Sequence, residues 1–257
     1  MIKSVECEVV SNTSITDEYF LLKFRWEYAA PKAGQFFMLK PLRCSTFLPR
    51  PISICEFNPE QKIITFLISR RGRGTIELSQ LSNGEKVLMT GPAGNCWADF
   101  LPEGAGKIGL VGGSAGVAPL AALVAEKPDV NFHFFAGFRQ GFREKEEEDA
   151  ILGAALRAKK LVISAEDGRN ALIGRIIDFI AELESFDSIF GCGPSAMMNA
   201  LKKKCESKNI PCFLSLESRL ACGVGACYGC TISTVNGNRR CCKEGPIFPA
   251  GEVIFDV

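Results

Sequence analysis

Five of the twelve cysteines crowd into residues 222–242, in a stretch rich in glycine and poor in helical periodicity. Nothing else in the chain restricts its fold so tightly. Residues 217–257 are too few to bury a core of their own, so a covalent or metal staple has to hold them. A disulfide framework belongs to small exported chains. The N-terminus, Met-Ile-Lys-Ser-Val-Glu-Cys-Glu-Val-Val, alternates as a strand does and lacks the apolar run of an export signal. The expectation is a reducing compartment, the cytoplasm, and thiolates that ligate a metal centre. Cys7, Cys44, Cys55, Cys96, Cys192, Cys205 and Cys212 are scattered and stand apart from this cluster.

The spacing narrows the metal. Cys222-Gly-Val-Gly-Ala-Cys227-Tyr-Gly-Cys230 is C-x4-C-x2-C, and a fourth cysteine follows at Cys241 or Cys242. Plant-type [2Fe–2S] ligation has this form, three thiolates on a loop closed by a distant fourth. The intervening glycines let the backbone wrap closely and aim N–H groups at sulfur. Zinc on the same thiolates is the alternative, although zinc sites more often pair two short C-x2-C knuckles. Cys241 and Cys242 are expected on a strand, where neighbours face opposite ways, so only one should reach the metal.

At roughly 100–200 residues per domain, 257 residues allow two domains or three small ones. Residues 1–102 carry alternating or β-rich runs at 4–10, 19–26, 35–40, 51–55, 62–69 and 86–90, which predicts a small antiparallel barrel. Residues 103–216 switch pattern. Apolar runs at 107–111, 130–136, 160–164, 187–190 and 211–216 alternate with helical periods at 118–125, 144–156, 174–183 and 195–205, which predicts a parallel sheet of βαβ units. The fold class is thus multi-domain, β plus α/β, with a small cysteine-rich unit at 217–257. Ile108 to Ala125 is uncharged over a length that could cross a membrane, but its glycines and Pro119 argue for a buried strand, a turn and a helix start. Thirty basic residues against twenty-nine acidic leave no field for nucleic acid, and one histidine makes a histidine-based triad unlikely. That histidine, His133, sits between phenylalanines and reads as structural. The charge run Arg143–Asp149 reads as the solvated face of a helix.

Four further motifs carry chemistry. Arg50-Pro51-Ile52-Ser53 ends a barrel strand and offers a fixed guanidinium and a hydroxyl to a pyrophosphate. Gly72-Arg73-Gly74-Thr75 opens a short helix whose N–H groups can meet an anion; the plain alternative is a glycine turn with Thr75 as N-cap. Gly112, Gly113 and Gly116, in the run to Pro119, follow the first parallel strand where a nucleotide would cross the strand ends. Cys192 and Gly193 follow a later strand at the same edge, facing whatever fills the cleft.

In this order the motifs resemble the ferredoxin-reductase-type flavoproteins. The end of the chain, Glu217-Ser-Arg-Leu-Ala-Cys222 through Cys230 and then Cys242-Lys-Glu-Gly-Pro-Ile-Phe248, is similar to the electron-transfer subunits of NAD-dependent (class 1B) dihydroorotate dehydrogenases. The resemblance implies FAD on the barrel, held by Arg50, Pro51, Ile52, Ser53, Leu67, Ile68, Ser69, Gly74 and Thr75. It implies NAD as substrate in the second domain, beside Gly112, Gly113, Gly116, Cys192 and Gly193. It implies a [2Fe–2S] cluster on Cys222, Cys227, Cys230 and Cys242. Dihydroorotate oxidation needs a base and a second flavin, which this chain does not display. The resemblance therefore implies a partner, an FMN-containing catalytic subunit, in a hetero-oligomer of two of each. A sibling oxidoreductase serving a hydrogenase, sulfite reductase or ferredoxin is the nearest alternative, and a zinc-stapled binding module the non-enzymatic one.

Overall fold

The computed structural model describes residues 2–255, so Met1 of the first expected unit and the last two residues of the third lie outside the described residues. The barrel strands are β1 (Lys3–Ser14), β2 (Tyr19–Arg25), β3 (Phe36–Pro41), β4 (Arg50–Ser53), β5 (Glu56–Asn58), β6 (Ile63–Ser69) and β7 (Lys86–Ala93), with helix α1 (Arg73–Ser79) between the last two. They form one antiparallel sheet in the order β4-β3-β7-β1-β2-β6-β5. Its two edge strands are consecutive in the chain. Ile54 N–H donates to Gln35 on one side, and Cys55 N–H donates to Thr65 on the other, so this crossing joins the edges and curls the sheet into a barrel. Alternation puts Phe20, Leu22 and Phe24 of β2, Ile64 and Phe66 of β6, and Val87 and Met89 of β7 inside. On β6 the opposite face is buried too, because Leu67 and Ser69 turn toward the second domain.

That domain holds β8 (Ile108–Gly113), α2 (Val117–Glu126), β9 (Phe132–Phe138), α3 (Lys145–Leu152), β10 (Lys160–Ala165), β11 (Leu172–Ile173), β12 (Ser188–Cys192), α4 (Ser195–Glu206) and β13 (Cys212–Ser215). Strand order is β11-β10-β9-β8-β12-β13, all parallel. β8 is buried throughout at the centre, which explains its unbroken apolar run. The chain departs from β8 first to one side and later returns on the other at β12. The crevice outside the carboxyl ends of these two strands is the topological switch point, where ligands bind in open α/β sheets.

The predicted helix over 174–183 is absent. Two 3₁₀ turns, Ile176–Phe179 and Leu183–Ser185, take its place, and Glu182 between them has a left-handed φ of 51°. Ile176, Ile180 and Leu183 are buried at helix-like spacing, which imitates the period. The carbonyls of Ile177 and Ile180 are spent elsewhere, since both accept from Lys204 Nζ. The helix expected over 144–156 stops at Leu152 and continues as a 3₁₀ turn from Gly153, whose φ is 50°.

The tail adds a two-stranded ribbon, β14 (Thr231–Ile232) with β15 (Arg239–Arg240), one helical turn α5 (Cys241–Glu244), and β16 (Ile247–Pro249). β16 pairs antiparallel with β13 and becomes the seventh strand of the second sheet. One strand of the segment expected as a unit at 217–257 thus belongs to the sheet of its neighbour. Asn95, just past β7, ties the tail to the barrel as well. Its amide donates to Ile247 O at 2.8 Å and accepts from Ile247 N–H at 3.0 Å. Trp97 stacks on Phe190 across the domain boundary, ring centroids 5.1 Å apart. No helix among the described residues is long and apolar enough to cross a membrane.

Candidate functional site

One cleft of about 250 Å³ lies where barrel, α/β domain and tail meet. From the barrel, Pro51, Ile52 and Ser53 of β4, Leu67, Ile68 and Ser69 of β6, and Thr75 of α1 line it. From the second domain come Gly113, Gly116, Cys192 and Gly193, and from the tail Cys241. Residues chosen from separate motifs are thus neighbours in space. Gly112 stands just behind the wall, packed against Val117.

Arg50 and Gly74 sit together beside the cleft. A Cβ on Gly74 would overlap Arg50 Nε, so glycine lets α1 pass over the guanidinium where it stands. Arg50 Nη2 donates to Leu48 O at 3.1 Å, whereas Nε is buried without an acceptor. Thr75 is not the N-cap: α1 starts at Arg73 after Gly72, and Thr75 in its first turn reaches back. Its Oγ1 accepts from the N–H groups of Arg71 (3.0 Å) and Gly72 (3.2 Å). Gly116 presses on the Cys192 carbonyl so closely that a Cβ would overlap it, which locks the two strand-end loops together.

Cys192 lines the cleft but is only 4% exposed, and burial, with the Glu217 carboxylate second, pushes its thiol far up, so it stays protonated at neutral pH. Ser114 and Arg71 of this wall, and Tyr19 behind it, carry no expectation from the sequence. Ser114 adopts a left-handed φ of 55°, and its hydroxyl meets Tyr19 Oη at 2.6 Å and accepts from Arg71 Nη2 at 3.1 Å, which joins barrel to glycine loop. A serine inside a glycine turn and a tyrosine at a strand start carry no pattern of their own. His133 is half-buried edge-on to Phe186, and burial with the nearby lysines lowers its pKa, as a structural residue requires.

The tail cysteines fall into two pairs. Cys230 and Cys242 are buried with sulfurs 3.3 Å apart, and Cys230 Sγ also accepts the Cys242 N–H at 3.4 Å. Cys222 and Cys227 form the outer pair, with Cys227 exposed and its sulfur accepting the Gly229 N–H at 3.4 Å. Burial opposes ionisation of Cys222. The N–H groups of Val224, Cys227 and Ala226 and the Cys227 thiol nevertheless bring it down to about 6. Among the described residues no three His, Cys, Asp or Glu side chains converge on one point that would hold a single metal ion. Cys241 is not a strand neighbour of Cys242, since both begin α5, where successive side chains diverge by about 100°. Cys241 points away from the pair, donates to Leu216 O at 3.0 Å and is pushed up to about 12, by burial foremost.

An antiparallel barrel, a parallel α/β domain with its switch point turned to that barrel, and a cysteine-rich tail define the ferredoxin-reductase class of folds. A chain of an NADH-dependent reduced ferredoxin-NADP oxidoreductase superposes with a TM-score of 0.81 at 22% identity, over 98% of this chain and 91% of that one. A ferredoxin reductase of carbazole 1,9a-dioxygenase superposes with a TM-score of 0.68 over 82% and 67%. Residues 217–254 match the iron–sulfur cluster binding domain of dihydroorotate dehydrogenase B. The dihydroorotate dehydrogenase B (NAD(+)) electron transfer subunit of Clostridium acetobutylicum is 36% identical over 97% of this chain and 96% of its own length. That of Caldanaerobacter subterraneus subsp. tengcongensis is 34% identical over 98% of each. The chain belongs to the family of dihydroorotate dehydrogenase B electron transfer subunits.

Proposed function

We propose that this chain carries electrons between an FMN-containing dihydroorotate dehydrogenase catalytic subunit and NAD+, through a [2Fe–2S] cluster and FAD, in pyrimidine biosynthesis. The carrying observation is the single cleft in which the β4–β6 wall, the 112–116 loop, Cys192 and the tail meet. FAD supplies the exchange between a hydride carrier and a one-electron cluster, and the chain's task is to hold the three within reach.

The residues present suit these groups. The acceptor-less Arg50 Nε is a buried cationic donor that asks for an anionic oxygen, and the pyrophosphate of FAD offers one. Leu67 and Ser69 with Ile52 and Ser53 form the mixed apolar and hydroxyl wall of a flavin site. The Gly116–Cys192 contact keeps the floor of the nicotinamide side low, and the protonated Cys192 presents no charge to it. Cys222, Cys227, Cys230 and Cys242, standing as two pairs, would hold a two-iron cluster better than one zinc at the centre of four sulfurs. The assembly is a hetero-oligomer of two of each subunit, and the compartment is the cytoplasm, where thiolates stay reduced.

Purification without oxygen should yield one FAD and two irons per chain, and NADH alone should bleach the flavin band in a rapid-mixing experiment. Zinc in place of iron would remove the cluster, and a flavin that ignores NADH and NADPH would leave the second domain without its role.

A further inference from the structure

Among the described residues the most exposed large apolar side chain is Phe47, 86% exposed in the loop that joins β3 to β4. This loop is fastened. The Glu77 carboxylate of α1 accepts hydrogen bonds from the Ser45 N–H (3.0 Å), the Ser45 hydroxyl and the Thr46 hydroxyl (2.9 Å). Lys40 Nζ lies 5.5 Å from the centre of the Phe47 ring. An aromatic ring held out in water on a pinned loop has little ordering entropy left to lose when it is covered.

Lys40 also locates the ring. Met38 and Lys40 are alternate residues of β3 and share a face, about 7 Å apart along the strand. Met38 is where the cluster loop rests, because a Cβ on Gly223 would come within 2.8 Å of its Sδ. Phe47 and the cluster loop are therefore neighbours on one surface. On the loop Val224 and Tyr228 are exposed and flank the exposed Cys227. Around them Arg43, Arg219 and Lys243 are exposed and form no ion pair among the described residues. Against the exposed Glu217, these three cations give the patch a net basic rim on a chain whose net charge is only +1.

We infer that Phe47 is the anchor of the docking face for the catalytic subunit, entering an apolar pocket bordered by carboxylates beside that subunit's own redox centre. The inference rests on the electron-transfer reading above. Electron transfer weakens steeply with distance, so the partner must cover the face on which Cys227 emerges, and Phe47 stands on that face. A second copy of this chain seated there would block the exit instead. Large aromatic residues at the centre of an interface carry most of its energy, and charged rims steer the encounter.

The test titrates the full chain, loaded with flavin and cluster, with the catalytic subunit. Phe47→Ala should weaken binding by about tenfold or more. Flavin and cluster spectra and NADH-driven reduction of an artificial acceptor should remain as in the parent. Ile173→Ala, at a 73% exposed residue on the far edge of the second sheet, should bind as the parent does. Raising the salt should weaken the parent complex, as opposite charges at a rim require. A Phe47→Ala chain that binds within about twofold of the parent overturns the anchor alone. A substitution that changes self-association of the isolated chain overturns it in favour of a second copy. A parent chain that ignores the catalytic subunit overturns the electron-transfer reading, and the anchor with it.

Discussion

The two adjacent cysteines at the start of α5 show how much one position decides. Cys242 faces Cys230 at 3.3 Å, while Cys241 bonds to the Leu216 carbonyl and borders the cleft. Cys242→Ser should abolish the cluster absorbance, because a serine oxygen is a poor replacement for thiolate on iron. Cys241→Ser should keep it, since a hydroxyl can still donate to Leu216. Visible spectra of the two anaerobically purified variants decide this, and the reverse result would move the fourth ligand by one residue. Strand alternation predicts that Cys241 and Cys242 diverge, but the twist of a helical turn is what parts them.

At the scale of elements, the tail depends on contacts that periodicity cannot reveal. Asn95 satisfies both the N–H and the carbonyl of Ile247, a pair more than 150 residues away in the chain. Asn95→Ala leaves those groups unpaired in a partly buried place, at a cost of about 1–3 kcal/mol. Hydrogen exchange of the Ile247 amide should accelerate, and a chelator should bleach the cluster faster, with the barrel's exchange unchanged. Equal rates in both chains would deny Asn95 that clamp. Strands were legible because β2, β6 and β8 announce their burial through alternation or an unbroken apolar run. The run 174–183 was misread because buried isoleucines at helical spacing do not say where their carbonyls bond. The cleft was legible motif by motif, through Arg50, Gly74, Gly116 and Cys192, since each has a local reason for its residue type. Ser114, Tyr19 and Asn95 were not, because their partners are distant and ordinary surface positions hold the same residues.

For the whole molecule, the three regions work only in contact. Barrel, α/β domain and tail all contribute to one cleft, and its lining carries no histidine or lysine that could act as a base. The isolated chain should therefore reduce artificial acceptors with NADH yet leave dihydroorotate untouched, and orotate should appear only when the catalytic subunit is added. Orotate formation by the isolated chain, followed by absorbance, would mean that a substrate site exists beyond this cleft.

The antiparallel strand β16 has a consequence for how the molecule comes into being. It is synthesised after every strand it joins, and the cysteine segment is synthesised between β13 and β16. Until β16 arrives from the ribosome, the outer edge of β13 is an open template for misassociation with other nascent chains. Pairing of Ile247 with Ser215 seals that edge. A chain cut short before Ile247 should therefore sediment as aggregate on expression, whereas the full chain stays in the supernatant.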